Sequence, residues 1–233
     1  MPQIQTLITA GEVVKYSPES SKFPPQAVQP HIFRKERAFV RAFLGHEFHQ
    51  LLIADLEDVS ALQAWSPAKQ YSTGDVVDYF GMTLKSLVNT NSVNPCDDTE
   101  GTSWQLMRKF QSDCYENLWV QGLREYLAYT VMAAAIDHTT FPAGARGVVE
   151  WVDDASSSRS ASNSTFVARK NKLLSDASEA LENLKEWVYR EHTDADTLCD
   201  FSEMLWLKSC TTKPGIHRGR RFHFQNKRTQ SRW

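Results

Sequence analysis

His46-Glu47-Phe48-His49 is the stretch of this chain that most invites a chemical reading. Two histidines bracket a glutamate, as in zinc-dependent proteases. That chemistry needs the histidines four positions apart on a helix, so that both imidazoles face one metal with the glutamate between them as base. Here the gap is three, and no third ligand stands out, so the stretch reads as a polar helix face near a subunit contact. The serines of Ala155–Ser164 fare no better, because a nucleophilic serine needs a strained elbow and a base, and neither is visible. Asp97-Asp98 and Asp153-Asp154 sit in turn-like segments, where short acidic side chains stabilise loop backbone. There is no Walker loop, dinucleotide fingerprint or calcium loop. No residue pattern supports an enzyme, and no catalytic residue, cofactor or metal is expected.

The remaining candidates are aromatic and cationic, and they point to contacts. The 233 residues carry a formal charge of −2, unevenly spread. After Glu203 there are eight cations and no acid, which leaves −10 on the rest of the chain. An acidic body with a basic end implies an arm for an anionic surface or for another copy's acidic face. Within that arm Arg218, Arg220, Arg221, Lys227 and Arg228 would pair with acid. Trp206, Phe222, Phe224 and Trp233 would anchor, since aromatic residues and arginine dominate binding hot spots. Cys96, Cys114, Cys199 and Cys210 form no CxxC pair and match no zinc spacing, so free thiols in a reducing cytoplasm are expected. The first residues lack a secretory pattern, and the longest apolar run is too short to span a bilayer.

The elements that must carry these residues follow from periodicity. Residues 1–31 are poorly patterned: Val13-Val14 suits a short strand, and the prolines of Ser17–Pro30 suit a loop. Residues 32–63 read as two helices, the first stopped at Leu44-Gly45. Residues 64–110 read as an inserted β-module with strands at Val76–Tyr79, Thr83–Val88 and Trp104–Met107. Residues 111–207 return to helix, with a long one over Thr165–Glu191 and a short one over Asp196–Lys208; a basic arm, 208–233, follows. The fold class expected is mainly α: a helical bundle carrying a small antiparallel β-module and an extended C-terminal arm.

Two resemblances add to this. Trp65, Tyr71, Gly74-Asp75-Val76-Val77, Gly81, Asn91, Pro95 and Trp104 resemble, over about 45 residues, the small chitin- and cellulose-binding modules appended to bacterial glycoside hydrolases. The family's aromatic three positions after the turn glycine is replaced by Leu84. That resemblance implies a fold, and a glycan or protein contact at Trp65, Tyr71, Tyr79 and Trp104; in so small a module those tryptophans also suit the core. On either side of the module, "RAFLGHEF", "ENLWVQGLREYLAY" and "RGVV" resemble the head–tail connector, or adaptor, family of tailed bacteriophages. This second resemblance implies a virion neck protein, made in the host cytoplasm. Such a protein forms a ring of about twelve copies below the portal, lines the DNA channel without reading sequence, and presents a platform to the next tail component. The partners implied are other copies of the chain, the portal protein, a downstream tail or neck protein and passing DNA, with no membrane. Two alternatives remain open: a glycan-binding accessory virion protein acting through the β-module, and a nucleic-acid-binding protein acting through the basic tail.

Overall fold

The computed structural model describes residues 5–18, 23–59, 61–98, 100–139, 150–151, 158–159, 163–193 and 199–211. The chain is mainly helical. In order come α1 (Ala10–Tyr16), α2 (Pro25–Phe39), α3 (His46–Ala54), strands β1 (Gln63–Ala64), β2 (Val76–Tyr79), β3 (Met82–Ser86) and β4 (Trp104–Leu106), then α4 (Asp113–Leu118) and α5 (Arg124–Thr139). A two-stranded pair, β5 (Glu150–Trp151) and β6 (Ser158–Arg159), precedes α6 (Asn163–Thr193) and α7 (Leu205–Thr211).

The N-terminal region departs from expectation. Val13-Val14 lies in helix α1, not in a strand. The reason is local: Thr9 and Glu12 form a reciprocal capping box, which satisfies two amide donors at the helix start. Helix α2 begins at Pro25, earlier than the prolines suggested. A proline at the first helical position gives up an amide that had no partner in any case. Pro30 sits inside α2, within its first turns. Ser158-Arg159 and Asn163-Ser164, within the serine-rich stretch Ala155–Ser164, lie in β6 and α6.

The body is a helical bundle around one core. Leu7, Ile8, Val13, Val28, Ile32, Phe39, Phe43, Phe48, Leu123, Leu127, Val131, Leu173, Leu184, Val188, Phe201 and Met204 are all buried in it. Helix α5 is its spine, packing against α1, α2 and α6. Two π-helical turns shape the bundle, Val40–Leu44 after α2 and Trp119–Leu123 between α4 and α5. Each involves a glycine at positive φ: Gly45 at 81° and Gly122 at 136°. At Gly122 a side chain would also collide with helix α6, because a Cβ would stand 2.7 Å from the Ala180 carbonyl oxygen. Both glycines thus let one helix approach another: α6 at Gly122 and α7 at Gly45, where Leu205 packs.

The cysteine reading is corrected as well. Cys114, in the first turn of α4, is bonded to Cys199, with Cα atoms 5.4 Å apart across a sequence separation of 85 residues. That separation is well inside the reach of a disulfide in space and invisible as a motif in sequence. Cys96 and Cys210 carry free thiols. The bond ties α4 to the segment that delivers Phe201 and Met204 to the core.

The β-module is a four-stranded sheet in the order β1-β2-β3-β4. It is mixed rather than antiparallel: β1 runs parallel to β2, while β2–β3 and β3–β4 are antiparallel. Tyr79 opposes Met82 across the β2–β3 turn, in which Phe80 and Gly81 both take positive φ, 47° and 86°. The module leaves and rejoins the body at one place. Leu56 pairs with Phe110, Glu57 N–H donates to Lys109 C=O at 2.9 Å, and Gln111 N–H donates to Asp55 C=O at 3.0 Å.

Candidate functional site

The aromatic residues that define the module are its core. Tyr71, Tyr79 and Trp104 are buried with Val77, Met82 and Leu84, and Trp65 packs on this group half-buried. Tyr71 meets Trp104 edge-on at 5.5 Å, and Trp65 meets Tyr79 edge-on at 5.4 Å. Most polar atoms around them are used internally, the exception being Trp65 Nε1, which is buried with no hydrogen-bond partner among the described residues. Trp104 Nε1 donates to the Val93 carbonyl at 2.8 Å. Buried Asp98 accepts the backbone amides of Thr102, Ser103 and Trp104 at 3.1, 3.1 and 2.7 Å. Buried Asn91 bridges Ser86, Ser103 and Val93. A sugar platform needs an exposed ring face, and Tyr71 and Trp104 are only 1 % exposed. The residues read as a possible glycan contact therefore do packing work, and burial pushes the Tyr79 hydroxyl pKa up.

The exposed ring of the module is Phe80, at the turn that faces the body. There the module docks on α1. Gly11 N–H donates to the Phe80 carbonyl at 3.1 Å, and a Cβ on Gly11 would stand 2.5 Å from the Tyr79 carbonyl oxygen. Gly81 lies equally close to Thr9. Beside this seam runs an open cleft of about 1230 Å³ between module and body. Its walls include His46, His49, Gln50 and Ile53 from α3, Glu57 and Val59 beyond it, and Phe80, Met107 and Arg108 from the module.

At the back of the seam buried Glu12 and half-buried Lys109 form an ion pair. Glu12 also accepts from Thr9 N–H at 2.9 Å, and Lys109 Nζ stands 4.4 Å from the centroid of the Trp119 ring. The pair joins α1, the segment that returns from β4 to the body and the π-turn of the body. Glu116 fixes that segment further by accepting Lys109 N–H at 2.9 Å and Phe110 N–H at 3.0 Å.

His46 and His49 do not converge. His49 Nε2 is 2.9 Å from Oε1 of Glu36, whose Oε2 accepts Leu7 N–H at 2.8 Å. His46 instead meets Gln50 at 3.0 Å. The two imidazoles thus have different partners, His49 on the half-buried side toward Glu36 and His46 on the exposed side with Gln50. Among the described residues no group of three or more His, Cys, Asp or Glu side chains is placed to hold a metal ion, and no helix is long and apolar enough to cross a membrane.

Of the arm, Arg218, Arg220, Arg221, Phe222, Phe224, Lys227, Arg228 and Trp233 lie outside the described residues. Trp206 lies inside α7 and is half-buried, stacked on Phe43 at 5.5 Å with an 18° interplanar angle. It belongs to the body rather than to a free anchor set. Lys208, next on α7, pairs with Glu203 and Glu47, which brings the last described turn against the start of α3.

Sequence reasoning missed the Glu12–Lys109 pair and the Glu36–His49 link, since both join residues far apart in the chain. One local signal was available: the Thr9–Glu12 spacing is a capping box and would have placed α1.

These features describe a mainly helical protein with a rigidly seated β-insertion. Residues 96–211, from the last loop of the insertion to the end of α7, match a family of unknown function, DUF6712. No curated protein and no solved structure matches the chain.

Proposed function

We propose that this chain is a structural virion protein, a head–tail connector whose copies form a ring beneath the portal. One observation carries the reading. Two of the three segments that resemble the connector family overlap the two π-helical turns: "RAFLGHEF" begins inside Val40–Leu44 and runs through Gly45, and "ENLWVQGLREYLAY" contains Trp119–Leu123 with Gly122; the third, "RGVV", lies outside the described residues. The resemblance thus falls on positions where the backbone has a demanding job, seating α7 and α6 on the bundle. Resemblance at such positions says more about shared architecture than resemblance along a helix surface. In this reading the ring extends the DNA channel and offers a platform to the next tail component. The basic segment that follows α7, residues 212–233, reaches a partner subunit, with the portal as its target. Many copies of a weak arm would add up to tight attachment. Ordering such an arm costs roughly 2–5 kcal/mol of its contact energy, so its aromatic residues must exceed that.

The test is assembly. Purified full-length chain mixed with its portal should give rings visible by negative-stain microscopy and mass photometry. The chain lacking residues 212–233 should remain folded and lose portal binding. A truncated chain that still decorates the portal would remove the arm's role. A full-length chain that never joins a portal would remove the connector reading.

A further inference from the structure

The outer surface of the bundle is divided by charge along one helix. Where α2, α5 and α6 meet there is a small cavity of about 180 Å³, lined by His31, Arg34, Lys35, Lys170, Leu174 and two alanines, Ala133 and Ala134. Among the described residues no acidic side chain lines it. Arg37 and Arg41 are exposed further along the same chain segment, and Arg169 lies beside Lys170. The sole acid of α2, Glu36, is turned inward to the Leu7 amide and His49. Leu174, 38 % exposed, adds apolar surface to this basic face.

The second half of α6 has the opposite character. Glu179, Glu182 and Glu186 are exposed at spacings of three and four, so they share one face, and Tyr189 continues it at 57 % exposure. Lys185 pairs with Glu182 at the flank of this stripe. The core positions Leu173, Ala177, Ala180, Leu184 and Val188 occupy the other side of the helix. At 3.6 residues per turn the acidic stripe points away from the core, whereas Lys170 and Leu174 sit at the core's flank, beside α2. From Leu174 to Tyr189 is about 22 Å along the axis at 1.5 Å per residue.

We propose that these two faces are the two halves of one contact between copies: the basic face of α2 and early α6 receives the acidic stripe of late α6 from the next subunit. The two faces share a continuous 31-residue helix, so they cannot meet within one copy. Two different, complementary patches on one subunit make a head-to-tail contact, and such contacts close into a ring when the rotation allows. The partner is therefore a second copy of this chain. The inference rests on the ring reading above and assigns it a surface.

Charge exchange tests it on the full-length chain. Two double variants are needed, R34E/K35E and E182K/E186K, each checked for wild-type circular dichroism. Sedimentation velocity at low ionic strength should show wild-type self-association that weakens as salt rises. Each double variant alone places like charges across the contact and should lose association by at least about 100-fold. An equimolar mixture of the two restores opposite charges at every junction, and should regain wild-type assembly. Wild type that stays monomeric at low salt, variants that assemble normally, or a mixture that stays apart would each overturn the proposal. So would R34E/K35E losing duplex-DNA binding while self-association is unchanged, which would give the basic face to nucleic acid. If wild type and both variants form equal rings on the portal, this contact fails while the connector reading survives.

Discussion

The helical body and the β-module solve the same problem at different scales. The body gathers its core from helices at both ends of the chain, holding α1 and α7 in one bundle. The module closes a six-residue core within 34 positions, Tyr71 to Trp104, and depends on three aromatic side chains to do it. A small core leaves few rings to spare for recognition. The body has surface to spare, including the charged faces of α2 and α6. The comparison teaches that an aromatic pattern in a compact module is first a folding code, and that binding capacity is better sought where the core is already complete.

Four perturbations would sharpen the contrast. The largest effect is expected from reducing Cys114–Cys199. A loop of that size implies a loss of about 4.5 kcal/mol in the chain-entropy account. Denaturation with and without reductant should show it, and hydrogen exchange should rise in α4 and α7 while β2 and β3 keep their protection. Next comes Glu12→Gln. It leaves the half-buried Lys109 ammonium without its counter-charge, so a cost of about 3 kcal/mol, the low end for a buried pair, is expected. Because the pair bridges both regions, the urea midpoint should fall for body and module together. Trp104→Ala should cost about 3 kcal/mol and act on the module alone. Its signature would be loss of dispersed β2–β3 amide signals in NMR, with the α5 and α6 signals unmoved.

The smallest effect is expected at Asp78. Its carboxyl pKa is raised by burial, with the Gly81 N–H bond pulling the other way. A carboxyl whose folded pKa is raised favours the folded state in acid, and that contribution is lost as pH rises through the folded value. Asp78→Asn keeps an acceptor for the Gly81 amide and removes the charge. The variant should therefore gain slightly over wild type at neutral pH and show no gain well below the carboxylate range, as urea midpoints at about pH 3 and about pH 7 would reveal.

Much of the secondary structure was legible in the sequence, for identifiable reasons. Helix α6 shows as an apolar stripe at Leu173, Ala177, Ala180, Leu184 and Val188, and the structure follows it. Strand β2 falls at Val76–Tyr79 as the alternation requires, and β3 and β4 shift by one or two residues only. Gly45 ends its helical turn at positive φ, as its position before His46 suggested. Helix α1 was not legible from Val13-Val14, because β-branched residues favour strands until a capping box outweighs them. Strand β1 was missed because two residues carry no alternation and its partner β2 lies more than ten positions on. The candidate site was legible in composition more than in geometry. Trp65, Tyr71, Tyr79 and Trp104 were correctly grouped, but which way a ring faces depends on partners such as Met82 and Leu84 across the sheet. The disulfide, the Glu12–Lys109 ion pair and the Glu36–His49 hydrogen bond join positions with no local signature.

The paired exit and return of the insertion at Leu56 and Phe110 has an evolutionary consequence. A stretch whose two ends emerge side by side can be exchanged for another of different length without asking the surrounding helices to move apart. What the present occupant must still match is the bare backbone of Gly11, so a replacement domain would succeed only if it brought an equally slim turn to that spot.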